Sequence, residues 1–271
     1  MIRSLYTAAT GMRAQQTNVD NISNNLANVN TAGYKTQKAE FKSLLYQTVQ
    51  TRTTSANGAQ KPVGAQVGLG TRVMSNTAIF TQGVLQDSEH DSDFAINGSG
   101  FFAVRDMNGE VFYTRNGRFN WSVGPTGVTL TDSDGRPVLD TNGNSIVLPP
   151  NVTSSNAVVT DEGEVGYKGN DGNYISLQQK FGIFQFNNPS GLQREAGSLY
   201  SVTEASGQPL NEATEPNLVK SKIAQGFLEG SNVQVADEMV NLIVAQRAYQ
   251  LNSKAITTSD EMLEQANNLR R

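Results

Sequence analysis

Val235-Ala-Asp-Glu-Met-Val-Asn-Leu242-Ile-Val-Ala245-Gln-Arg-Ala-Tyr249-Gln-Leu-Asn252-Ser-Lys-Ala-Ile256-Thr-Thr-Ser259-Asp-Glu-Met-Leu263 decides the architecture. An apolar residue recurs every seventh position: Val235, Leu242, Tyr249, Ile256 and Leu263. Ala245, Asn252, Ser259 and Ala266 stand between them on the same face, and no Pro or Gly interrupts the run after Gly230. Such a repeat, at 3.5 residues per turn, keeps one stripe facing a partner, so the run predicts a long helix of coiled-coil type. One large and one small residue per heptad suits close packing among several helices. Ser231 and Gln234 have the S-x-x-Q spacing of a capping box, which would start the helix.

The first thirty residues carry the same pattern at Leu5, Met12, Val19 and Leu26, with Ile2, Ala9, Gln16 and Ser23 between. Asn is frequent here, and its side chain competes for backbone hydrogen bonds, so this helix should lean on partners. Its predicted end is Thr31-Ala-Gly33, where Gly33 can take a left-handed cap. Fully burying a large stripe residue contributes about 1.5–3 kcal/mol. Ordering each backbone residue costs about 1–2 kcal/mol. The stripes alone do not carry these helices, which are expected to pair and then order against other copies of the chain. The alternative reading of the heptads is an intramolecular helical hairpin or bundle core.

The formal charge of −4 gives no electrostatic case for nucleic acid. Charged residues make up only 17%, so a free surface would be poorly solvated and assembly would bury part of it. The chain has no cysteine, which excludes disulfides and thiol catalysis. The start shows no secretory signal pattern, and no stretch approaches the roughly 18 apolar residues of a membrane span, so no membrane insertion is expected.

Residues 34 to 50 read as a helical turn or extended arm, and Thr51 to Gly70 as a linker or long hairpin. From Val73 to about Val219 come short runs rich in β-branched and aromatic residues, among them Phe94–Ile96, Phe101–Val104, Val111–Tyr113 and Ile183–Phe186. The pairs Asn97-Gly98, Asn108-Gly109, Asn116-Gly117, Asp134-Gly135, Asn142-Gly143 and Asp171-Gly172 separate them and accept the positive φ of hairpin turns. Gly226 to Gly230 hinge into the last helix. The class is therefore α+β: paired N- and C-terminal coiled-coil-type helices with an all-β domain inserted between them. Residues 1–33 and 231–271 make a discontinuous helical assembly domain. Residues 34–72 are a connecting arm, and 73–230 an all-β domain with its exit linker.

No stretch makes a convincing active site. His90, the only histidine, sits among Glu89, Asp91, Ser92 and Asp93, but catalytic triads are built from distant positions. Asp132-Ser-Asp-Gly135 and Asp140-Thr-Asn-Gly-Asn144 lack the twelve-residue calcium frame. No catalytic, cofactor or metal residue is assigned. A remoter alternative is a wall- or carbohydrate-active β domain whose helices serve only as an oligomer tag; that would require a pocket with converging titratable groups.

Ser23-Asn24-Asn25-Leu26-Ala27-Asn28-Val-Asn-Thr31-Ala-Gly33-Tyr34-Lys35 resembles the N-terminal signature of the flagellar rod and hook proteins. Met1-Ile-Arg-Ser-Leu-Tyr6, Gly230-Ser-Asn-Val-Gln-Val-Ala-Asp-Glu-Met-Val-Asn-Leu-Ile243 and Tyr113-Thr-Arg-Asn-Gly-Arg-Phe119 fit the same family. Tyr46 to Gly64, followed by Gly68-Leu-Gly-Thr-Arg72, is similar to the distal-rod branch; a hook or proximal rod subunit is the alternative. The resemblance implies a structural, non-catalytic subunit without cofactor, exported without a cleaved signal. It implies self-assembly into a tube outside the cytoplasmic membrane, helices inward and β domain outward, that carries torque to the hook. Implied partners are other copies, other rod subunits, hook or hook-adaptor subunits, the bushing rings and the flagellar type III export apparatus. Phe41-Lys-Ser-Leu-Leu45 is similar to the motif by which rod and hook subunits engage the export gate, with Phe41 and Leu45 as its apolar positions.

Overall fold

The structure, a computed structural model, describes residues 2–50, 65–124, 127–150, 152–169 and 173–268. Helix α1 spans Ile2–Ala27 and helix α2 spans Val235–Asn268, with strands between, which makes the chain α+β. Contacts divide it into two compact units. One holds Met1–Ala27, Gln37–Ala78 and Gln234–Arg271; the other holds Asn28–Thr36 and Ile79–Val233. The sequence reading places boundaries near residues 33 and 72. The contacts put the 37–78 stretch with the helices and the short 28–36 segment with the strands.

In the helical unit, α1 and α2 run antiparallel. Gly11 lies against Asn252, and Asn25 reaches Glu238, so one step up α1 matches one step down α2. Helix α1 ends, and helix α2 begins, away from the expected cap. Helix α1 stops at Ala27, and Gly33, at φ 69°, serves a later turn. Ser231 does not cap α2: its hydroxyl accepts the Val233 N–H, and the helix starts at Val235, with Asp237 and Glu238 favourably placed against the dipole of its first turn.

The 37–78 stretch is extended. Gln37–Ser43 pairs antiparallel with Thr71–Ala78, and Tyr46–Gln50 with Ala65–Gly68. Bonds from Leu44 N to Gly70 O and from Leu69 N to Leu45 O join the two pairings into one ribbon. Residues 51–64, most of the expected linker or hairpin, lie outside the described residues. The ribbon exposes backbone groups, and α1 meets them with polar side chains. Asn25 Nδ2 donates to Gln37 O and Asn25 Oδ1 accepts from Gln37 N, both at 2.9 Å. Asn76 Nδ2 donates to Asn21 Oδ1 at 2.8 Å, and Thr71 N donates to Thr10 Oγ1. The Asn content that weakens α1 in isolation thus fits it to the ribbon.

The β unit is built on a six-stranded antiparallel sheet. Its strand order is Gln193–Arg194, Leu199–Ser201, Val111–Thr114, Phe101–Arg105, Ile183–Gln185, Leu210–Asn211. Strand Phe101–Arg105 is buried on both faces. Phe102 and Val104 enter a cluster with Phe94, Phe119, Leu130, Val138, Ile146, Leu148 and Phe181, against which Trp121 packs. Phe101 and Ala103 enter a second cluster with Tyr113, Leu139, Phe186 and Tyr200. This is the alternation a pleated strand imposes. Gly98, Gly109, Gly135 and Gly143 take the positive φ expected of their turns, but Gly117 does not: it lies against the Phe94 backbone, whose N–H donates to Gly117 O, and no hairpin turn forms at Asn116-Gly117; Asp171-Gly172 lies outside the described residues. Phe227–Glu229, expected as a hinge, is a strand paired with Leu85–Asp87.

Candidate assembly site

Helix α2 presents two faces. Toward α1, Ala245 and Ser259 are buried, while Leu242, Asn252, Ile256 and Leu263 are half-buried. Val235 and Tyr249 of the same stripe are exposed. On α1, Leu5, Met12, Val19 and Leu26 are half-buried; the residues buried against the unit are Ala8, Ala14, Asn21, Ile22 and Asn25. The heptad stripe of α1 therefore lies beside its most buried face, not on it.

The other side of α2 is more apolar than a single stripe implies. Val240, Ile243 and Val244 are 59, 57 and 62% exposed, flanked by Met239 and Leu251. The four apolar residues at 239, 240, 243 and 244 spread over an arc on the side of the helix away from the inner stripe, and an apolar helix stripe is ordinarily covered by another element. The signal is present in Met239-Val-Asn-Leu-Ile-Val244, but counting only every seventh residue passes over it. A cleft of about 360 Å³ beside Val19 and Tyr249 lies between the two helices, lined also by Gln16, Gln246 and Gln250.

Glu238, on the inner face of α2, is buried. Burial raises the pKa of its carboxyl, and the Asn25 amide at 3.3 Å opposes that rise. Phe41 and Leu45 sit on the ribbon at 42 and 82% exposure, Phe41 at a register shift.

The signature Asn24–Lys35 serves both units. Asn24, Asn25, Leu26 and Ala27 close α1, with Asn25 and Leu26 differing in exposure: Asn25 is fully buried and Leu26 is half-buried. Asn28, Thr31, Gly33, Tyr34 and Lys35 belong to the β unit, where Gly33, Tyr34 and Lys35 are buried. Thr31 Oγ1 donates to Asn28 Oδ1. Lys35 Nζ donates to Glu229 Oε1 at 2.6 Å, and Arg115 Nη1 donates to Glu229 Oε2 at 3.2 Å; all three side chains are out of solvent. Burial depresses the pKa of both cations, while the Glu229 carboxylate pulls each back up. Asn232 completes the arrangement. Its Oδ1 accepts from Thr36 N and Oγ1, both at 2.7 Å, and its Nδ2 donates to Ile79 O at 2.8 Å. Sequence reasoning assigns no role to Arg115, Glu229 or Asn232, because partners so distant along the chain leave no periodic trace.

The β unit also holds a cleft of about 420 Å³, lined by Asp161, Glu162, Glu212, Lys180, Lys220 and Lys222 over Phe181. The buried Glu212 carboxylate accepts from Ser221 N, Ser221 Oγ and Gln185 Nε2, so it is committed to holding the loop. Among the described helices none is long and apolar enough to cross a membrane.

Comparison with known proteins shows the family to which the chain belongs. Residues 5–35 match the flagella basal body rod protein model, 95–167 the flagellar hook protein FlgE/F/G D1 domain, and 224–269 the flagellar basal body rod FlgEFG protein C-terminal model. The chain is 42% identical to the flagellar basal-body rod protein FlgG of Borreliella burgdorferi over 272 residues, covering all of both chains. It is 41% identical to FlgG of Buchnera aphidicola from Acyrthosiphon pisum, covering 99% of this chain and all of that one. It is 41% identical to FlgG of Agrobacterium fabrum, covering 96% and 97%. The chain belongs to the flagellar basal-body rod protein family. Within it, the chain is of the FlgG, distal-rod type: a structural component of the basal body that assembles with other basal-body components, and not an enzyme.

Proposed function

We propose that the helical unit is the polymer-forming part of a tubular distal rod that carries torque to the hook. The observation that supports this most is the apolar outer face of α2 at Met239, Val240, Ile243 and Val244, exposed in the single chain. In this reading α1 and α2 pack as a coiled coil through Leu5, Met12, Val19 and Leu26 and through Leu242, Ile256 and Leu263, while Val235 and Tyr249, exposed in the single chain, are covered by neighbouring copies. The outer face of α2 then meets helices of neighbouring copies in an inner layer, with the β unit outward. Further partners are other rod subunits, hook or hook-adaptor subunits and the bushing rings. The rod lies outside the cytoplasmic membrane, and the subunit gets there through the flagellar export apparatus, with Phe41 and Leu45 engaging the gate.

Ile243→Lys tests the assembly reading. A solvated lysine at a 57% exposed position should leave the isolated chain's thermal midpoint within a few degrees. Buried against a neighbour, the same charge costs several kcal/mol per subunit. Electron microscopy of basal bodies should show no distal rod. Val123→Lys, at an exposed strand position of the β unit, should still build rods. Normal rods built from the Ile243→Lys variant would sink the proposal that this face meets other subunits, and an unfolded Ile243→Lys monomer would show that the face belongs to the single chain's own packing.

A further inference from the structure

Asn28–Thr36 belongs to the β unit, yet both of its chain neighbours, Ala27 and Gln37, belong to the other. The segment is therefore held in the β unit by non-covalent contacts alone. Those contacts are specific. Gly33 N donates to Glu229 O at 2.8 Å, and Ile79 N donates to Thr36 O at 2.9 Å. Lys35 Nζ reaches Glu229 and also Thr81 O at 2.8 Å. The Arg194 guanidinium stands 5.2 Å above the Tyr34 ring and donates to Lys35 O at 2.8 Å.

The closest approach is at Gly33. A Cβ there would stand 2.6 Å from both Arg115 C and Asn116 N, backbone atoms that cannot swing aside. Its φ of 69° is also in the left-handed region, which favours Gly. The seat thus requires residue 33 to have no side chain for two separate reasons.

We propose that Asn28–Thr36 is a plug: it docks into a preformed seat on the β unit and leaves it as its own cooperative step. Seated, the segment anchors the chain on either side of it to the β unit; released, it is a loop between α1 and the ribbon. The seat is formed by Ile79 and Thr81, the Arg115-Asn116 backbone, Arg194, Glu229 and Asn232, and the core beneath it, with strands 94–97 and 101–105, holds together through residues 79–233.

Hydrogen exchange on the full-length monomer tests this with Gly33→Ala. Protection over 28–36 should fall roughly hundredfold, while peptides over 94–97 and 101–105 stay within about threefold of the parent. Gly207→Ala is the matched control: its φ of 78° gives the same backbone strain, but nothing lies within 4 Å of the added Cβ. It should change neither region. If the core strands lose protection together with 28–36, the segment is part of one cooperative core and the plug is refuted. Retained protection of 28–36 in Gly33→Ala refutes it equally. Because exchange is read on the isolated chain, the result does not depend on whether rods form.

Discussion

Gly11 of α1 and Asn252 of α2 face each other so closely that a Cβ on Gly11 would stand 2.8 Å from Asn252 Nδ2 and 3.2 Å from its Cγ. The helices touch tightly where one has no side chain and the other a short polar one. The obstacle is the end of a side chain, which can turn away. Ala at position 11 also recovers about 1 kcal/mol of helix propensity. Gly11→Ala should therefore be close to neutral. Gly11→Leu cannot be absorbed by one rotamer change, and overpacking typically costs about 1–3 kcal/mol. Thermal midpoints of the two variants check this; equal midpoints would show that the helices are not held at this distance.

Glu238 makes the helical unit sensitive to pH. Its carboxyl is raised above the ordinary Glu range in the folded chain, so the folded state holds the proton more tightly than the unfolded one. The contribution is fully present below the unfolded pKa and is lost as pH rises through the folded value. Glu238→Gln, a mimic of the protonated form that still offers Asn25 an acceptor, should be more stable than the parent at neutral pH. It should also lack the parent's decline between weak acid and neutrality. Unfolding titrations at several pH values would show parallel curves for the two proteins if Glu238 plays no such part.

Removing the single anion between Lys35 and Arg115 should be far worse than removing one cation. Glu229→Gln leaves two buried positive charges facing one another, and breaking a buried pair in this way costs about 3–5 kcal/mol. Lys35→Met replaces a buried ammonium with an apolar chain of similar length and leaves Arg115 and Glu229 as a neutral pair. Its cost should be the smaller by at least about 2 kcal/mol. Urea midpoints decide, and a Lys35→Met variant as damaged as Glu229→Gln contradicts the order argued from the charges.

Phe41→Ala separates export from folding. Phe41 is 42% exposed in the single chain, so truncating it costs only part of what a fully buried Phe would lose. The purified variant should keep its thermal midpoint within a few degrees, while its level outside the cytoplasm falls several-fold. Normal export with failed rods would place Phe41 in packing between subunits instead.

Much of the architecture is legible in the sequence because it is periodic or punctuated. The sevens of Leu242, Ile256 and Leu263 announce α2, and Asn-Gly and Asp-Gly pairs mark turns of the β unit. What escapes is local competition and distant pairing. Ser231 has the spacing of a cap, but Asn232 beside it is committed to Thr36 and Ile79, so the chain stays extended until Val235. The ribbon strands Gln37–Ser43 and Thr71–Ala78 are too polar to show a period of two in their apolar residues, since few of their side chains are buried. Lys35, Arg115 and Glu229 come together from three remote places, and only folded coordinates reveal that one carboxylate serves both cations.

Trp121, packed on the core of the β unit, is the only tryptophan in the chain. Helices α1 and α2 both lie in the other unit. The two halves of the molecule therefore carry separate optical labels without any engineering: indole emission follows the strands, and ellipticity near 222 nm follows the helices. Coincident transitions by different probes are a test of all-or-none unfolding. Here the same pair of signals, followed during polymerisation, would time the locking of the helices against any change in the β unit, in unmodified protein.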